Sequence, residues 1–156
     1  MEQIIDEIIK VTVNGKKYKL NLSDLAKRLE IDASNLDYEL EHQAAFYYWI
    51  ATLATNAVFM AEEQKHAFEV FYSELINEAR SEFEKEGGKA PAATIIEATV
   101  KSQEEYQERL GELMKIKRIA ALFETAREAV RMRQFLLIER SKRISKEIAA
   151  EYEEDE

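Results

Sequence analysis

Apolar residues recur at spacings of three and four along two long stretches of the chain, a pattern typical of amphipathic helices. Before the first stretch, Asp32 or Ser34 can cap a helix, and no glycine or proline follows until Gly87. This pattern predicts one helix of about 53 residues, roughly 80 Å long. Its apolar positions are Leu36, Leu40, Ala44, Tyr47, Ala51, Ala54, Val58, Ala61, Phe68, Tyr72, Leu75 and Ala79.

The second long helix is predicted to begin near Gln103, because residues 102–105 have the form of a capping box. It should extend over about 48 residues, again with a seven-residue repeat that favours coiled-coil-like packing. Between the two helices lie the break at 87–91 and a short helix that opens at Thr94. The apolar positions of the second helix are Tyr106, Leu113, Ile116, Ala120, Phe123, Val130, Leu137, Ile144 and Ile148.

The first thirty residues have a different pattern. Residues 11–13 and 18–20 flank Asn14-Gly15, the dipeptide that best accepts the positive φ angles of a type I′ hairpin turn. A short helix is predicted after Ser23, as its N-cap, and runs to about Leu29.

These elements predict an all-α fold. Its main part is a long antiparallel, coiled-coil-like helical hairpin, preceded by a small N-terminal β-hairpin. We expect three regions: 1–30 with the β-hairpin and short helix, 31–150 with the helical hairpin broken at 87–102, and an acidic tip at 151–156. Two helices are too narrow to bury all of these apolar residues, so we also expect an oligomer.

Composition and charge narrow the function classes. The 156 residues include no cysteine, which excludes disulfides and thiolate chemistry, and no apolar run approaches the roughly 20 residues that span a bilayer. The net charge of -9 argues at first against nucleic acid, but it is unevenly distributed. Residues 29–90 carry a balance of -9, whereas residues 109–146 hold eleven basic and four acidic groups. We call residues 109–146 the basic stretch.

No motif of an enzyme stands out, since the chain has neither a phosphate-binding glycine loop nor a Gly-x-Ser-x-Gly elbow. Two Glu-x-x-His motifs, at 39–42 and 63–66, have the spacing of di-iron helical bundles. Both lie on the same predicted helix, roughly 36 Å apart, so they cannot converge within one subunit. We therefore expect no enzymatic activity, no cofactor and no metal site, and a metal-binding bundle remains a minor alternative.

Arginine in the basic stretch could fork onto phosphates and stack on bases. At 100° per residue these arginines do not share one face, and several could instead pair with the acidic first helix. Lysines on the N-terminal hairpin are a second basic group. The candidate DNA-binding residues are Arg118, Arg127, Arg131, Arg133, Arg140, Arg143, Lys16, Lys17 and Lys19.

Residues 31–39, Ile-Asp-Ala-Ser-Asn-Leu-Asp-Tyr-Glu, followed by a long helix with Tyr47 and Trp49, resemble the phage recombination mediators typified by UvsY. The later break, short segment and second long helix with late arginines continue the resemblance over roughly residues 29–145. It implies a homo-oligomeric ring that binds single-stranded DNA and helps a RecA-like recombinase displace single-strand-binding protein. It also implies a location in the cytoplasm, that of the host cell if a phage encodes the chain, and no membrane contact.

One departure from the family limits what can be transferred. Family members carry DNA-binding lysines and arginines on the first long helix, whereas residues 51–86 hold only Lys65, Arg80 and Lys85 among many glutamates here. No DNA contact is therefore transferred position by position. The alternative prediction is a non-enzymatic coiled-coil scaffold or virion assembly protein, which would show no salt-dependent DNA binding.

Overall fold

The computed structural model describes residues 8–13, 15–85 and 91–154, with side chains up to residue 150. It confirms a mostly helical fold with a pair of long helices and a small antiparallel hairpin near the N-terminus. In chain order the elements are strands β1 (Ile8–Val13) and β2 (Lys16–Asn21) and helices α1 (Leu22–Leu29), α2 (Leu36–Lys85), α3 (Ala93–Lys101) and α4 (Glu104–Glu154).

The N-terminal hairpin has the register that a two-residue turn imposes. Val13 pairs with Lys16 and Ile9 with Leu20, and Gly15 between the strands adopts a φ of 76°, a left-handed conformation that glycine accepts at low cost. Asn14, the other predicted turn residue, lies outside the described residues. One face of the ribbon is buried through Ile9, Val11 and Leu20.

The N-cap of α1 lies two residues before the predicted one. The side chain of Asn21, not of Ser23, is the N-cap: its Oδ1 accepts hydrogen bonds from the backbone N–H of Ser23 at 2.8 Å and of Asp24 at 3.4 Å. Asparagine and serine are equally good caps, so composition could not decide between them.

Asp32, one of the two predicted caps, lies before α2, whereas the predicted cap of α4 has another role. Before α2, Asp32 caps a single 3-10 turn, and its carboxylate accepts hydrogen bonds from the backbone N–H and the hydroxyl of Ser34. At the other junction the hydroxyl of Ser102 donates to the carbonyl of Thr99. Ser102 thus ends α3 instead of capping α4, although α4 begins within one residue of the predicted position.

The chain forms two compact units, which we call the terminal unit (Met1–Ala57 with Ala121–Glu156) and the central unit (Val58–Ala120). In the terminal unit, the first half of α2 packs antiparallel to the second half of α4. Fully buried residues recur on α4 at the predicted seven-residue interval: Phe123, Val130 and Leu137.

In the central unit, α3 packs with the flanking parts of α2 and α4 around a core of buried residues. Tyr106 is at the centre of an aromatic cluster, its ring centroid 5.4 Å from that of Phe68 and 5.6 Å from that of Tyr72. The buried residues of this core are Leu75, Ala79, Ile96, Val100 and Tyr106.

One of the two heptad positions in the predicted apolar seam of α2 is one residue out of register, whereas the other, with Ala54 and Ala61, is buried as predicted. Ala44 and Val58, assigned to the seam, are exposed, whereas the preceding positions Gln43 and Ala57 are buried. Residues on both sides of the true seam are apolar here, so periodicity could not choose the buried face. On α4, Ile144 and Ile148 were also assigned to the seam and are exposed by 36% and 47%.

One part of α2 bears on the prediction that no apolar run approaches a bilayer-spanning length. The twenty residues between Glu41 and Glu62 include no Asp, Glu, Lys or Arg. By length and composition the helix Ala33–Lys85 could cross a membrane, and 28% of its most apolar window is buried. Core helices of water-soluble proteins share these properties, so the expectation of no membrane contact stays a prediction.

Candidate nucleic-acid interface

A buried arginine of the basic stretch joins three segments of the terminal unit. The Nη1 atom of Arg133 donates to Oε1 of Gln43 at 2.6 Å, and its Nη2 donates to the Glu39 carboxylate at 2.5 Å and to the Glu30 carbonyl at 3.2 Å. Gln43 in turn donates to the carbonyl of Val130 at 2.8 Å. This network connects the end of α1, the start of α2 and the second half of α4.

The carboxylate of Glu39 has a second partner, which extends the network towards the start of α2. Its Oε1 accepts a hydrogen bond from the backbone N–H of Asp32 at 3.0 Å. That hydrogen bond, followed by the one from Arg133, holds the pKa of the Glu39 carboxyl below its ordinary value of 4.5. The hydroxyl and the backbone N–H of Ser34 likewise lower the pKa of Asp32 below 3.8.

Arg133, a candidate DNA contact in the sequence, is therefore not accessible to DNA in this structure. Its side chain is 6% exposed and its charge is paired with Glu39, so its guanidinium cannot reach a strand without breaking the network. The alternative interpretation, in which a late arginine pairs with the acidic first helix, holds at this position. Breaking such a pair leaves an uncompensated buried charge, so we expect Arg133 and Glu39 to stay paired.

Three other candidate arginines are spread along α4. Arg127 and Arg131 are exposed enough to reach solvent, and each pairs with the glutamate three residues earlier, Glu124 and Glu128. Arg118 is exposed on α4 and belongs to the central unit, whereas the other five candidate arginines belong to the terminal unit. None of these three arginines lines the groove described next.

The last two candidate arginines do share a surface. Arg140 and Arg143 line a groove of about 870 Å³ in the terminal unit, next to the end of α1, and we call it the basic groove. Two lysines of α4 line the groove with them, and three apolar residues and Glu139 supply the rest of its wall. The groove is lined by Leu29, Ile31, Leu136, Glu139, Arg140, Lys142, Arg143 and Lys146.

The cations of the basic groove are accessible and weakly held. Lys142 pairs with Glu139 at 3.2 Å and Arg143 with Glu147 at 3.5 Å, with all four side chains more than 60% exposed. Pairs of this kind contribute about 0–1 kcal/mol, so a phosphate could replace the carboxylate at low cost. The groove can therefore bind a polyanion and bury apolar surface at the same time.

The hairpin lysines separate onto two faces of the ribbon. Lys17 and Lys19 lie on the outward face, where Lys10 is directly opposite Lys19. Lys16 lies on the other face, with its Nζ 5.7 Å from the centroid of the Tyr18 ring. Lys10, Lys17 and Lys19 thus form a second exposed basic surface, separate in sequence from the basic groove.

Several residues of these surfaces were missed in the sequence although signals for them were present. The two-residue turn already fixes Lys10 opposite Lys19. Lys142 and Lys146 lie at helical spacing beside Arg140 and Arg143, but a search for arginine alone passes over them. By contrast, nothing in the pattern of charges distinguishes the buried Arg133 from the exposed Arg131.

Acid should weaken the terminal unit through Glu39. Because its pKa is lower in the folded than in the unfolded chain, its contribution is complete above pH 4.5 and is lost as the pH falls through the folded value. We expect urea midpoints to be level near neutral pH and to fall below about pH 4.5. Glu39→Gln should reduce this acid dependence, whereas Glu41→Gln, an exposed neighbour on α2, should keep it. Equal acid dependence in the two variants would contradict the assignment.

The first Glu-x-x-His motif has other contacts in the structure. Glu39 of the first motif is engaged by Arg133, and Nδ1 of His42 lies 2.8 Å from the carbonyl oxygen of Tyr38, to which it donates. Within residues 8–13, 15–85 and 91–150 no three histidine or acidic side chains are grouped so that they could hold a metal ion. The absence of a metal site in the whole chain stays a prediction.

Comparisons of the chain with family models, with curated proteins and with solved structures found no match. We therefore infer the function from the residues of the chain and from the geometry of these surfaces.

Proposed function

We propose that the protein is a non-enzymatic recombination mediator of the phage type, which binds single-stranded DNA and helps a RecA-like recombinase replace single-strand-binding protein. The observation that carries the proposal is the basic groove, in which Arg140, Lys142, Arg143 and Lys146 surround an apolar wall. Cations for the backbone beside apolar surface are the common ingredients of single-strand binding. The resemblance at residues 31–39 supplies the recombination context.

Binding by the groove would be mainly electrostatic. Phosphates of the strand would replace Glu139 as the partner of Lys142 and Glu147 as the partner of Arg143. This replacement releases counterions from the strand, so the affinity for DNA falls as the salt concentration rises. A mediator of this kind acts by mass action: it holds the strand in a form that the recombinase can take over. The acidic tip or the acidic part of α2 would then face protein partners, which include the recombinase and single-strand-binding protein.

The proposal includes assembly into a homo-oligomer. Large apolar side chains on both long helices are exposed in the single chain, among them Phe59 at 63%, Met114 at 59% and Met132 at 52%. A second copy of the chain could cover such side chains, and a ring would multiply the charge of the basic groove. The same exposed residues favour the second candidate function, a coiled-coil scaffold or virion assembly protein.

Binding to a fluorescent thymidine oligonucleotide, measured by anisotropy from low to physiological salt, tests the function. We expect Arg140→Gln combined with Arg143→Gln to weaken binding roughly tenfold and to reduce the salt slope by about 0.7 for each lost phosphate contact. The matched control is Arg127→Gln with Arg131→Gln, which removes two arginines of α4 outside the groove.

Three outcomes would overturn this proposal. A folded wild-type protein that fails to bind the oligonucleotide at low salt would favour the scaffold. Equal losses in the two double variants would exclude the basic groove as the site. An oligonucleotide-bound protein that fails to speed recombinase assembly on strands coated with single-strand-binding protein would exclude the mediator function. Native mass measurement with and without oligonucleotide gives the number of subunits in either case.

A further inference from the structure

A second cavity of the terminal unit, of about 460 Å³, lies between α1 and the first turns of α2, and we call it the aromatic pocket. Tyr38, His42 and Trp49 line it from α2 at spacings of four and seven, which place them on one face of the helix. Ala45 lies between them on the same face, and its small side chain leaves the space open. Four of the ten residues that line the pocket carry rings: Tyr38, His42, Phe46 and Trp49.

The rings are placed as a stacking surface and remain accessible. Tyr38 is 53% exposed and stacks on His42 with centroids 3.9 Å apart and an angle of 28° between the ring planes. The guanidinium of Arg28, from α1, lies 5.5 Å from the centroid of the Trp49 ring. Exposed aromatic rings beside an arginine are the arrangement on which unpaired bases stack in single-strand-binding proteins.

The charges of the pocket favour a neutral ring with an anion outside it. Glu39 and Arg133 line the wall but neutralise each other through their buried ion pair. Lys27 and Arg28 are exposed at the α1 side, where they could hold a phosphate. A nucleotide has this combination of a flat uncharged base and a charged phosphate.

Residues 27–31 connect the two sites of the terminal unit. Lys27, Arg28 and Glu30 line the aromatic pocket, whereas Leu29 and Ile31, next to them in sequence, line the basic groove. A strand whose phosphates follow the groove would thus pass beside the pocket.

We propose that the aromatic pocket takes up bases of the bound single strand, stacked on Tyr38 and on Trp49, while the basic groove holds the backbone. This inference rests on the proposed function, which it deepens by giving a place to the bases. It predicts that binding depends on the bases as well as on the phosphates.

The protein carries a built-in probe of this pocket, because Trp49 is its single tryptophan. A thymidine oligonucleotide should quench the tryptophan fluorescence, whereas an abasic oligonucleotide of equal length should bind more weakly and quench little. Tyr38→Ala should lower the affinity for the thymidine oligonucleotide about tenfold, within the range of one lost stacking contact, and Tyr38→Phe should restore it. The matched control is Tyr48→Ala, because Tyr48 is an exposed tyrosine of the same helix that lies outside the pocket.

The outcomes separate this inference from the proposed function. Salt-dependent binding without quenching of Trp49, and with equal affinities for the Tyr38→Ala and Tyr48→Ala variants, would overturn the pocket and leave the groove standing. Failure of the folded wild-type protein to bind any oligonucleotide would overturn both. Equal affinity of the wild-type protein for abasic and thymidine oligonucleotides would also exclude a base in the pocket.

Discussion

Arg133→Ala should destabilise the terminal unit by about 3–5 kcal/mol, because it leaves the carboxylate of Glu39 partly buried without its charged partner. The same substitution removes hydrogen bonds to Gln43 and to the carbonyl of Glu30. Thermal unfolding followed by circular dichroism should show a melting temperature lower by roughly 10 °C, at about 2–4 °C per kcal/mol for a chain of this size.

Arg131→Ala is the matched control, since Arg131 lies two positions earlier on α4 with a side chain that is 55% exposed. We expect its effect to stay within about 0.5 kcal/mol. Replacing both charges, as Arg133→Met with Glu39→Met, should recover much of the loss because no unpaired charge then remains. Unchanged melting of the Arg133→Ala variant would show that the network contributes little to stability.

Phe123→Ala should cost a similar amount for a different reason. Phe123 is fully buried in the terminal unit, and its removal leaves a cavity that the neighbouring helices can fill only in part. We expect a loss of about 3–5 kcal/mol in the free energy of unfolding, measured as a lower urea midpoint.

Phe135→Ala makes the same chemical change on the same helix at a side chain that is 55% exposed. Its effect on unfolding should stay within about 0.5 kcal/mol. If both alanine variants unfold at the same urea concentration, the buried face of α4 is assigned wrongly.

The long-range order of the fold was predictable because local signals mark its elements. The seven-residue repeat on α4 identified Tyr106, Leu113 and Ala120, and then Phe123, Val130 and Leu137, all of which are buried. The turn dipeptide fixed the register of the hairpin. On α2 the seam was right at Ala54 and Ala61, but its other heptad position was missed by one residue. Ile50 and Ala51 are both apolar, and only the opposing helix determines which one faces inward.

The candidate site was predictable in part. A charge balance along the sequence finds the basic stretch, and it identified Arg140 and Arg143 of the basic groove. It cannot tell a buried arginine from an exposed one, since this depends on a carboxylate 94 residues away, at Glu39. The aromatic pocket was missed because no pattern in the sequence marks it, and the cavity beside Trp49 depends on how α1 lies against α2.

The division into units has a consequence for the order of folding. The central unit is one continuous stretch, Val58–Ala120, so its aromatic contacts join residues that are closer along the chain than Arg133 and its partners. In the terminal unit, Arg133 reaches partners 90, 94 and 103 residues away. Contacts between distant residues carry a greater loop-closure cost, which is smaller once the intervening chain is compact. The central unit is thus expected to form first. Its folding brings the two segments of the terminal unit, which are distant in sequence, close to each other.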